Sequence, residues 1–336
     1  MKWIGYSLTV LVFVAAAVVP QVSAADLPFE VTGALVSEDI EETDRFTRQV
    51  PTTFHFLKIA PTARVAGMGG AYTPVADGMD AIFYNPAGIA SVERLGWTFG
   101  YTDWFLDMKL TSAAVAINTN YGVIGISVLS LEIPGVVQRT TLKPEGTGKM
   151  LDLGDMAVGF HYAYQMTDKM SAGVQMRYAK TKLGLDQEMT GWLLSAGTLM
   201  NTGFESLRIG MGIKNLGGNT TAIGTYESRM PSTFNVGASG EIMGDLGDPV
   251  SLTVSFEGSY HMDSNQRYHV GAELWMKEMF AIRAGNNFNY DAQKWAVGAG
   301  LRGNFSGRHI AVDVSYSELT SELDHQPIRF TVSGEF

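Results

Sequence analysis

The chain has 336 residues, a formal net charge of −10, 17% charged residues, 38 glycines and no cysteine. The acidic balance and the lack of a Lys and Arg cluster argue against nucleic acid as a partner, because phosphate binding needs such a cluster. Without cysteine, the chain carries no disulfide and no acylated lipoprotein anchor.

Residues 1–24 have the pattern of a secretory signal peptide. Lys2 supplies the positive charge, residues 4–19 are apolar, and residues 22–24 supply the cleavage positions. An uncleaved membrane anchor is the alternative, but the apolar run is short beside the roughly 20 residues that a membrane helix needs. The mature chain is therefore predicted to begin at Ala25.

Residues 25–53 are predicted to form a flexible, solvated segment. They show no sustained hydrophobic period and carry an acidic run over residues 38–45. A charge run of this kind usually stays in water because it has too little apolar surface to pack. The alternative is an arm that contacts a protein partner.

Residues 54–93 fit neither a strand nor a long helix, and we predict that they form a plug, or hatch, inside a barrel. Glycines in the first half lack Cβ and let the backbone lie close to a wall. In the second half, an asparagine before a proline is kept out of the helical region and can hold a turn. The first motif consists of Arg64, Gly67, Met68, Gly69 and Gly70, and the second of Asn85, Pro86, Ala87 and Gly88.

These two motifs, at this spacing, resemble the hatch signature of the FadL-type outer-membrane barrels. With residues 56–59 (Phe-Leu-Lys-Ile) in front, they most resemble the PorV/PorQ branch. The resemblance covers mainly residues 56–92. It implies the outer membrane of a Gram-negative-type bacterium as the location, a non-enzymatic role and no cofactor.

From residue 94 to residue 336 the sequence alternates apolar and polar residues, which is the period of β-strands. The alternation predicts an all-β fold, a transmembrane antiparallel β-barrel of about 14 strands, and an even number suits a single-chain bacterial barrel. The predicted strands are 95–101, 109–118, 121–131, 153–166, 170–182, 190–200, 206–215, 231–241, 249–260, 267–276, 279–286, 293–303, 308–317 and 327–336. Links after even strands are short and links after odd strands tend to be longer, which places both barrel ends of the chain in the periplasm.

The two faces of the strands differ in chemistry. One face is wholly apolar, as at Leu207, Ile209 and Met211, and is predicted to meet lipid. A soluble sandwich would bury the same face, but its solvated face would then be unusually rich in Gly and poor in Lys and Glu. Aromatic residues near strand ends, Trp275 among them, are predicted to form interfacial girdles, with ordinary β-propensity as the alternative. Charged residues predicted to face the lumen are Arg177, Arg208, Glu257, Glu273, Arg283, Arg302, Asp313 and Arg329.

The last strand places Phe330, Val332 and Phe336 on one face and ends the chain on an aromatic residue. This resembles the C-terminal signal by which outer-membrane barrels are handed to the barrel-insertion machinery. Gly334 departs from the pattern, since a large apolar residue usually stands there. Outer-membrane lipid and that machinery are therefore the partners that the resemblance implies.

No catalytic residue and no metal site is predicted. The glycine motif lacks the preceding strand and the Lys of a phosphate loop. His269 with Glu257 or Glu273, and Ser255 or Ser259 as a nucleophile, could form an acid–histidine arrangement. Lumenal polar groups that bond one another or the hatch are the favoured interpretation.

Hatch charges are expected to pair with the wall: Arg64 with Glu257, Glu273 or Asp313, and the hatch carboxylates Asp77 and Asp80 with wall donors. Such pairs would hold the hatch in place, because buried polar groups need partners.

Two functions are implied by the resemblance. The PorV/PorQ branch implies a component of type IX secretion that handles cargo proteins, with other components of that system and cargo as partners. The wider FadL resemblance implies passive uptake of hydrophobic small molecules such as long-chain fatty acids. Uptake would need an apolar pocket beneath the long loops, and residues 133–137 and Leu142 are candidates to line it.

Overall fold

The computed structural model describes residues 52–184, 187–218, 220–221, 227–290, 293–305, 308–319 and 326–336. The predicted signal peptide and the acidic segment up to residue 51 lie outside these ranges. Within the described ranges, no helix is both long and apolar enough to cross a bilayer.

Fourteen strands form one closed antiparallel barrel in which each strand pairs with its neighbours along the chain and the last closes on the first. The strands are β1 (Leu95–Asp103), β2 (Lys109–Thr119), β3 (Gly122–Glu132), β4 (Leu153–Thr167), β5 (Met170–Gly184), β6 (Gln187–Asn201), β7 (Arg208–Leu216), β8 (Thr233–Met243), β9 (Val250–His261), β10 (Arg267–Met276), β11 (Phe280–Phe288), β12 (Gln293–Phe305), β13 (Arg308–Leu319) and β14 (Ile328–Glu335). The predicted barrel is confirmed, and a sandwich is excluded because the sheet closes on itself.

The links divide the barrel into a turn end and a loop end. Links after even-numbered strands are turns, such as the one between Thr119 and Gly122. Two links at the loop end carry small hairpins, Val136–Val137 with Met150–Leu151 and Thr220–Thr221 with Glu227–Ser228. The link from β5 to β6 departs from the predicted trend, because only residues 185–186 separate these strands.

Side-chain exposure confirms the two faces. Leu194 and Phe330 are more than half exposed on the exterior, whereas Glu257 and Arg283 are buried inside. A closed barrel with an apolar exterior suits a bilayer, where no open sheet edge is tolerated. Every predicted lumenal charge turns inward: Arg177, Glu257, Glu273, Arg283, Asp313 and Arg329 are buried, and Arg208 and Arg302 are partly buried.

Trp275 corrects the girdle prediction. It is 7% exposed and faces the lumen, where the guanidinium carbon of Arg302 lies 4.4 Å from its ring centroid. Trp275 is two residues from Glu273 on β10, so strand alternation puts both side chains on the same face. Its position near a strand end was the misleading signal.

The closing seam explains the unusual Gly334. In the pairing of β1 with β14, Gly334 lies directly opposite Trp97. A Cβ atom at residue 334 would lie 2.6 Å from Nε1 of Trp97, so only glycine leaves room for the indole. The aromatic surface missing from the last strand is supplied by its neighbour, an arrangement known to protect glycines in sheets.

Before β1, the chain fills the lumen with short helices. They are the 3₁₀ helix His55–Lys58, helix α1 (Ala63–Gly67) and the 3₁₀ helices Met79–Phe83 and Pro86–Ser91; a further 3₁₀ turn, Phe105–Asp107, joins β1 to β2. The third 3₁₀ helix starts where the sequence predicts a turn, since Oδ1 of Asn85 accepts a hydrogen bond from the amide of Ala87 at 3.2 Å and a proline follows the cap.

The hatch runs along the lumen from one end of the barrel to the other. At the loop end, the amide of Thr53 donates to the carbonyl of Arg229 in the link after β7. At the turn end, Nδ2 of Asn118 on β2 donates to the carbonyl of Val92 at 3.0 Å. The hatch is therefore in contact with the wall over the whole height of the barrel.

Candidate functional site in the barrel lumen

The wall meets the hatch along a track of glycines. A Cβ atom at Gly285 would overlap the backbone nitrogen of Gly69, and one at Gly271 would lie 2.5 Å from the carbonyl oxygen of Met68. The hatch backbone therefore lies directly against the strands, which needs residues without side chains. We define the glycine track as the wall positions where a Cβ would lie less than 3.0 Å from a hatch atom: Gly96, Gly100, Gly173, Gly197, Gly210, Gly237, Gly271 and Gly285.

The first hatch motif contacts β10 to β12. Gly69 and Gly70 have φ values of +63° and +83°, a region that favours glycine. This turn points the carbonyl of Gly69 at Nδ1 of His269, which donates to it at 2.8 Å. Gly67 packs against the backbone of Gly298. The motif therefore needs two glycines for the positive φ values of one turn and a third for a close approach to the wall.

The second hatch motif contacts β5 and β6 on another part of the wall. Asn85 is completely buried, and its Nδ2 donates to the carbonyls of Thr73 at 3.2 Å and Thr198 at 3.3 Å. A Cβ at Gly88 would lie 2.6 Å from the carbonyl oxygen of Ala76. The motif thus joins one hatch turn to another and to the barrel.

An ion-pair network, which is buried except for the partly exposed Asp77, ties the hatch to β10, β11 and β13. Its members are Arg64, Asp77, Glu273, Arg283 and Asp313. Arg64 donates through Nε and Nη2 to the two carboxylate oxygens of Glu273, at 2.9 and 2.8 Å, and through Nη1 to Asp77. Arg283 donates to Glu273 at 2.6 Å and to Asp313 at 2.5 Å. Of the three wall carboxylates predicted for Arg64, the structure selects Glu273.

Glu257 is the alternative partner of Arg64 that binds the hatch in another way. Its Oε2 accepts the backbone amides of Tyr72 at 3.0 Å and Thr73 at 2.8 Å, and Oε1 accepts from Asn235. The carboxylate therefore binds the hatch backbone rather than a hatch cation. Charge-assisted bonds of this kind are stronger than bonds between neutral groups.

The hatch carboxylates also differ from expectation. Asp77 pairs with Arg64 inside the hatch rather than with a wall donor. Asp80 is buried beside the ion-pair network, and its Oδ1 has no hydrogen-bond partner in the described part of the chain. Counting Asp80, four carboxylates surround two arginines there.

Asp80 makes hatch seating depend on pH. Burial, with the nearby charge of Asp313, raises its pKa from 3.8 to about 7, while Arg64 and Arg283 oppose the shift and Asp77 adds to it. The carboxyl group of Asp80 holds its proton more tightly in the seated hatch than in water. Its contribution to the stability of the seated hatch is therefore greatest below about pH 4. This contribution is lost as the pH rises through about 7, by no more than about 1.4 kcal/mol per pH unit.

Hydrogen exchange of the amides in Met79–Phe83, followed from pH 5 to pH 8, checks this effect. We expect protection to fall with rising pH once the intrinsic exchange rate is divided out. Asp80→Asn has no proton to lose in this pH range and should abolish the fall. An equal pH dependence in the variant would contradict the assignment to Asp80.

His269 does not form the acid–histidine arrangement. Its Nδ1 lies 2.8 Å from Oδ1 of Asn287 as well as from the Gly69 carbonyl, and its Nε2 lies 3.3 Å from Oγ of Ser259. The carboxylates of Glu257 and Glu273 bind the hatch instead. Asn287 was missed from the sequence, although alternation from Arg283 on β11 places it on the lumenal face. No group of three His, Asp or Glu in the described ranges is placed to hold a metal ion.

On the lumenal face of β2 to β6, apolar residues pack against the hatch beside buried polar ones. Two hatch phenylalanines, Phe54 and Phe56, and Met230 from the link after β7 belong to this cluster. We define the apolar lumenal patch as these three residues with the wall residues Leu110, Leu129, Leu131, Ala157, Ala179 and Leu193. Among the predicted pocket residues, Ile133 packs partly against it, whereas Val136, Val137 and Leu142 are exposed.

An uncompensated cation borders the apolar lumenal patch. Arg177 is buried and lies opposite Leu193 in the pairing of β5 with β6. Its Nη1 reaches Oδ1 of Asn215 at 3.4 Å, its Nη2 has no partner, and it has no carboxylate partner within the described ranges. Nδ1 of the neighbouring His161 is also without a partner there. The hatch thus meets the wall across an apolar contact, at whose edge Arg177 and His161 have hydrogen-bonding atoms without a partner in the described ranges.

Comparison with known proteins identifies the fold. No family model matches the chain, and no curated protein matches it. Among solved structures, the toluene transporter TbuX of Ralstonia pickettii is similar at 14% identity, covering 82% of this chain and 98% of that chain with a TM-score of 0.55. The CymD monoaromatic hydrocarbon channel follows at 13% identity, 82% and 98% coverage and a TM-score of 0.57. The Pseudomonas putida toluene transporter TodX gives 12% identity, 82% and 97% coverage and a TM-score of 0.54.

The chain shares the barrel fold of these three proteins. At these identities the likeness concerns the fold, and the PorV/PorQ branch is not distinguished by it. The closed barrel and the hatch in its lumen agree with the fold that the sequence predicts, and the apolar exterior suits a bilayer.

Proposed function

We propose that this FadL-like barrel is a passive transporter of hydrophobic small molecules across the outer membrane. The observation that carries the proposal is the apolar lumenal patch, which continues from the wall of β2 to β6 onto the hatch and onto Met230 in a link at the loop end. Concave apolar surfaces with a few polar groups at the edge are the usual form of small-molecule sites. Outer-membrane lipid and the barrel-insertion machinery are the partners that this proposal requires.

The hatch is the closure of this route. It spans the lumen in contact with the wall, so part of it has to move when a solute passes. The segment at the loop end contains the buried Phe54 and Phe56. Thr52 donates to Asp263 at 2.7 Å, and Lys58 pairs with the same carboxylate. We propose that this segment moves first, because none of its backbone lies against the glycine track.

Fold likeness supports uptake more than cargo handling. The similar structures are described as toluene transporters and a monoaromatic hydrocarbon channel. A fold alone does not fix a function, so a role in type IX secretion stays as the second hypothesis, motivated by the PorV/PorQ resemblance of the hatch motifs.

Deletion of the gene with parallel assays separates the two hypotheses. We expect slower uptake of labelled toluene or oleate, unchanged uptake of a small hydrophilic solute, and normal export of surface proteins. Restoring the intact chain should restore uptake. Normal uptake of both hydrophobic probes together with lost export would overturn the proposal and establish the secretion hypothesis.

A further inference from the structure

Phe54 is the one buried hatch phenylalanine held in an unfavourable backbone conformation. Its φ and ψ are 54° and 41°, in the left-handed region, where residues other than glycine, asparagine and aspartate are uncommon. Even so, its side chain is 3% exposed. The buried position of the ring therefore compensates for the backbone cost.

The ring of Phe54 occupies a notch in the wall. A Cβ at Gly191 would lie 3.0 Å from Cε2 of Phe54 and 2.6 Å from Cε of Met230, so the phenyl edge and the thioether both meet the bare backbone there. Ala179 pairs with Gly191 across β5 and β6. The buried residues Met189 and Leu193 are each two positions from Gly191 on β6, so their side chains lie on the same face as Gly191.

We propose that this notch is a binding site for a single aromatic ring, which the chain itself fills with Phe54 while the hatch is seated. The floor is formed by Gly191 and Ala179, the sides by Met189 and Leu193, and the cover by Met230. A flat ring suits a floor of two small residues, and the methionine sulfur favours an aromatic over an aliphatic partner. An incoming ring makes the same contacts as Phe54 and releases its left-handed backbone.

The proposed ligand is a monoaromatic hydrocarbon, whose ring is the size of the phenyl group that it replaces. This deepens the proposed function and rests on it in taking the ring to be transported cargo. Binding itself is measurable without transport. Deletion of the Phe54 ring leaves the floor, sides and cover of the notch in place, so it should expose the site.

The test compares toluene binding by the purified, detergent-solubilised full chain and its variants. We expect Phe54→Ala to bind toluene at least tenfold more tightly than the unaltered protein and to prefer toluene over n-heptane severalfold. Phe83→Ala, which removes a buried hatch phenyl outside the notch, should bind toluene as weakly as the unaltered protein. Adding Gly191→Val to Phe54→Ala should abolish the gain, because the new side chain fills the floor.

The heat-modifiable gel mobility of a folded barrel, recorded for each variant, shows that binding is compared between folded proteins. If Phe54→Ala does not fold, Phe54→Leu, which leaves part of the notch empty, takes its place and should show a smaller gain that Gly191→Val again removes. Equal toluene binding by the folded Phe54 and Phe83 variants, or a gain that survives Gly191→Val, would overturn the site. Equal affinity for toluene and n-heptane would overturn the aromatic class of the ligand.

Failure of the proposed function gives a different pattern. If Phe54→Ala gains toluene binding but deletion of the gene leaves uptake of every hydrophobic probe unchanged, the ring site stands and the transport function fails. If deletion impairs uptake but Phe54→Ala gains no binding, transport stands and this inference fails.

Discussion

Replacing Gly285 with alanine is expected to unseat the hatch while leaving the barrel closed. The added Cβ would overlap Gly69 N and the carbonyl carbon of Met68, and these backbone atoms cannot yield as a flexible side chain can. Overpacking of a well-packed site typically costs about 1–3 kcal/mol and occasionally more. We expect the upper part of that range, because both contacting groups are backbone.

Conductance of the purified protein in a planar bilayer measures the effect. Gly285→Ala should raise the open probability or the leak conductance, and protease should cut the hatch more readily. Gly212→Ala is the matched control, since Gly212 is a buried strand glycine whose Cβ would meet no atom closer than 3.6 Å. A Gly285 variant that conducts and resists protease like the Gly212 variant would show that the wall adapts to the added methyl group.

Replacing Glu273 with leucine is expected to be the most destabilising single change in the lumen. Glu273 is the carboxylate shared by Arg64 and Arg283, and both arginines are buried. Removing one member of a buried ion pair leaves the other charge uncompensated and costs about 3–5 kcal/mol. Asp77 and Asp313 each retain one arginine, which keeps the loss towards the lower end of that range.

Urea unfolding in detergent, followed by tryptophan fluorescence, measures the change in the free energy of unfolding. Glu273→Gln should cost less, because it keeps an oxygen acceptor of the same shape. Glu241→Leu is a useful comparison, since Glu241 pairs with Arg208 on the wall and touches no hatch cation: it should lower barrel stability without increasing hydrogen exchange in α1. Faster exchange in α1 for both leucine variants would contradict a specific role of Glu273 in holding the hatch.

Strand number and strand face are predictable here because they depend on local information. Alternation within ten residues fixes which side chains share a face. Trp275 was placed wrongly because it was assigned to a girdle from its position near a strand end and not from this alternation. Gly69 was likewise recognisable as a hatch residue. The wall positions of the glycine track were not, because alternation places a glycine on the lumenal face but does not show whether it contacts the hatch.

Pairings across the lumen are not predictable from one sequence. Arg64 and Glu273 are 209 positions apart, and their contact depends on how deep the hatch sits and on how it is rotated. Three wall carboxylates were chemically equivalent choices for Arg64 until the fold placed them. The left-handed backbone of Phe54 is similarly invisible, since a phenylalanine carries no sequence signal for positive φ.

The glycine track also constrains the order of biogenesis. Asn85 bonds to β6, while Gly69 lies against β11 on another part of the barrel, so the hatch contacts the wall on several sides at once. A hatch held in this way could not easily enter a barrel that had already closed. The hatch precedes β1 in the chain. We therefore expect the strands to assemble around the hatch before β1 pairs with β14.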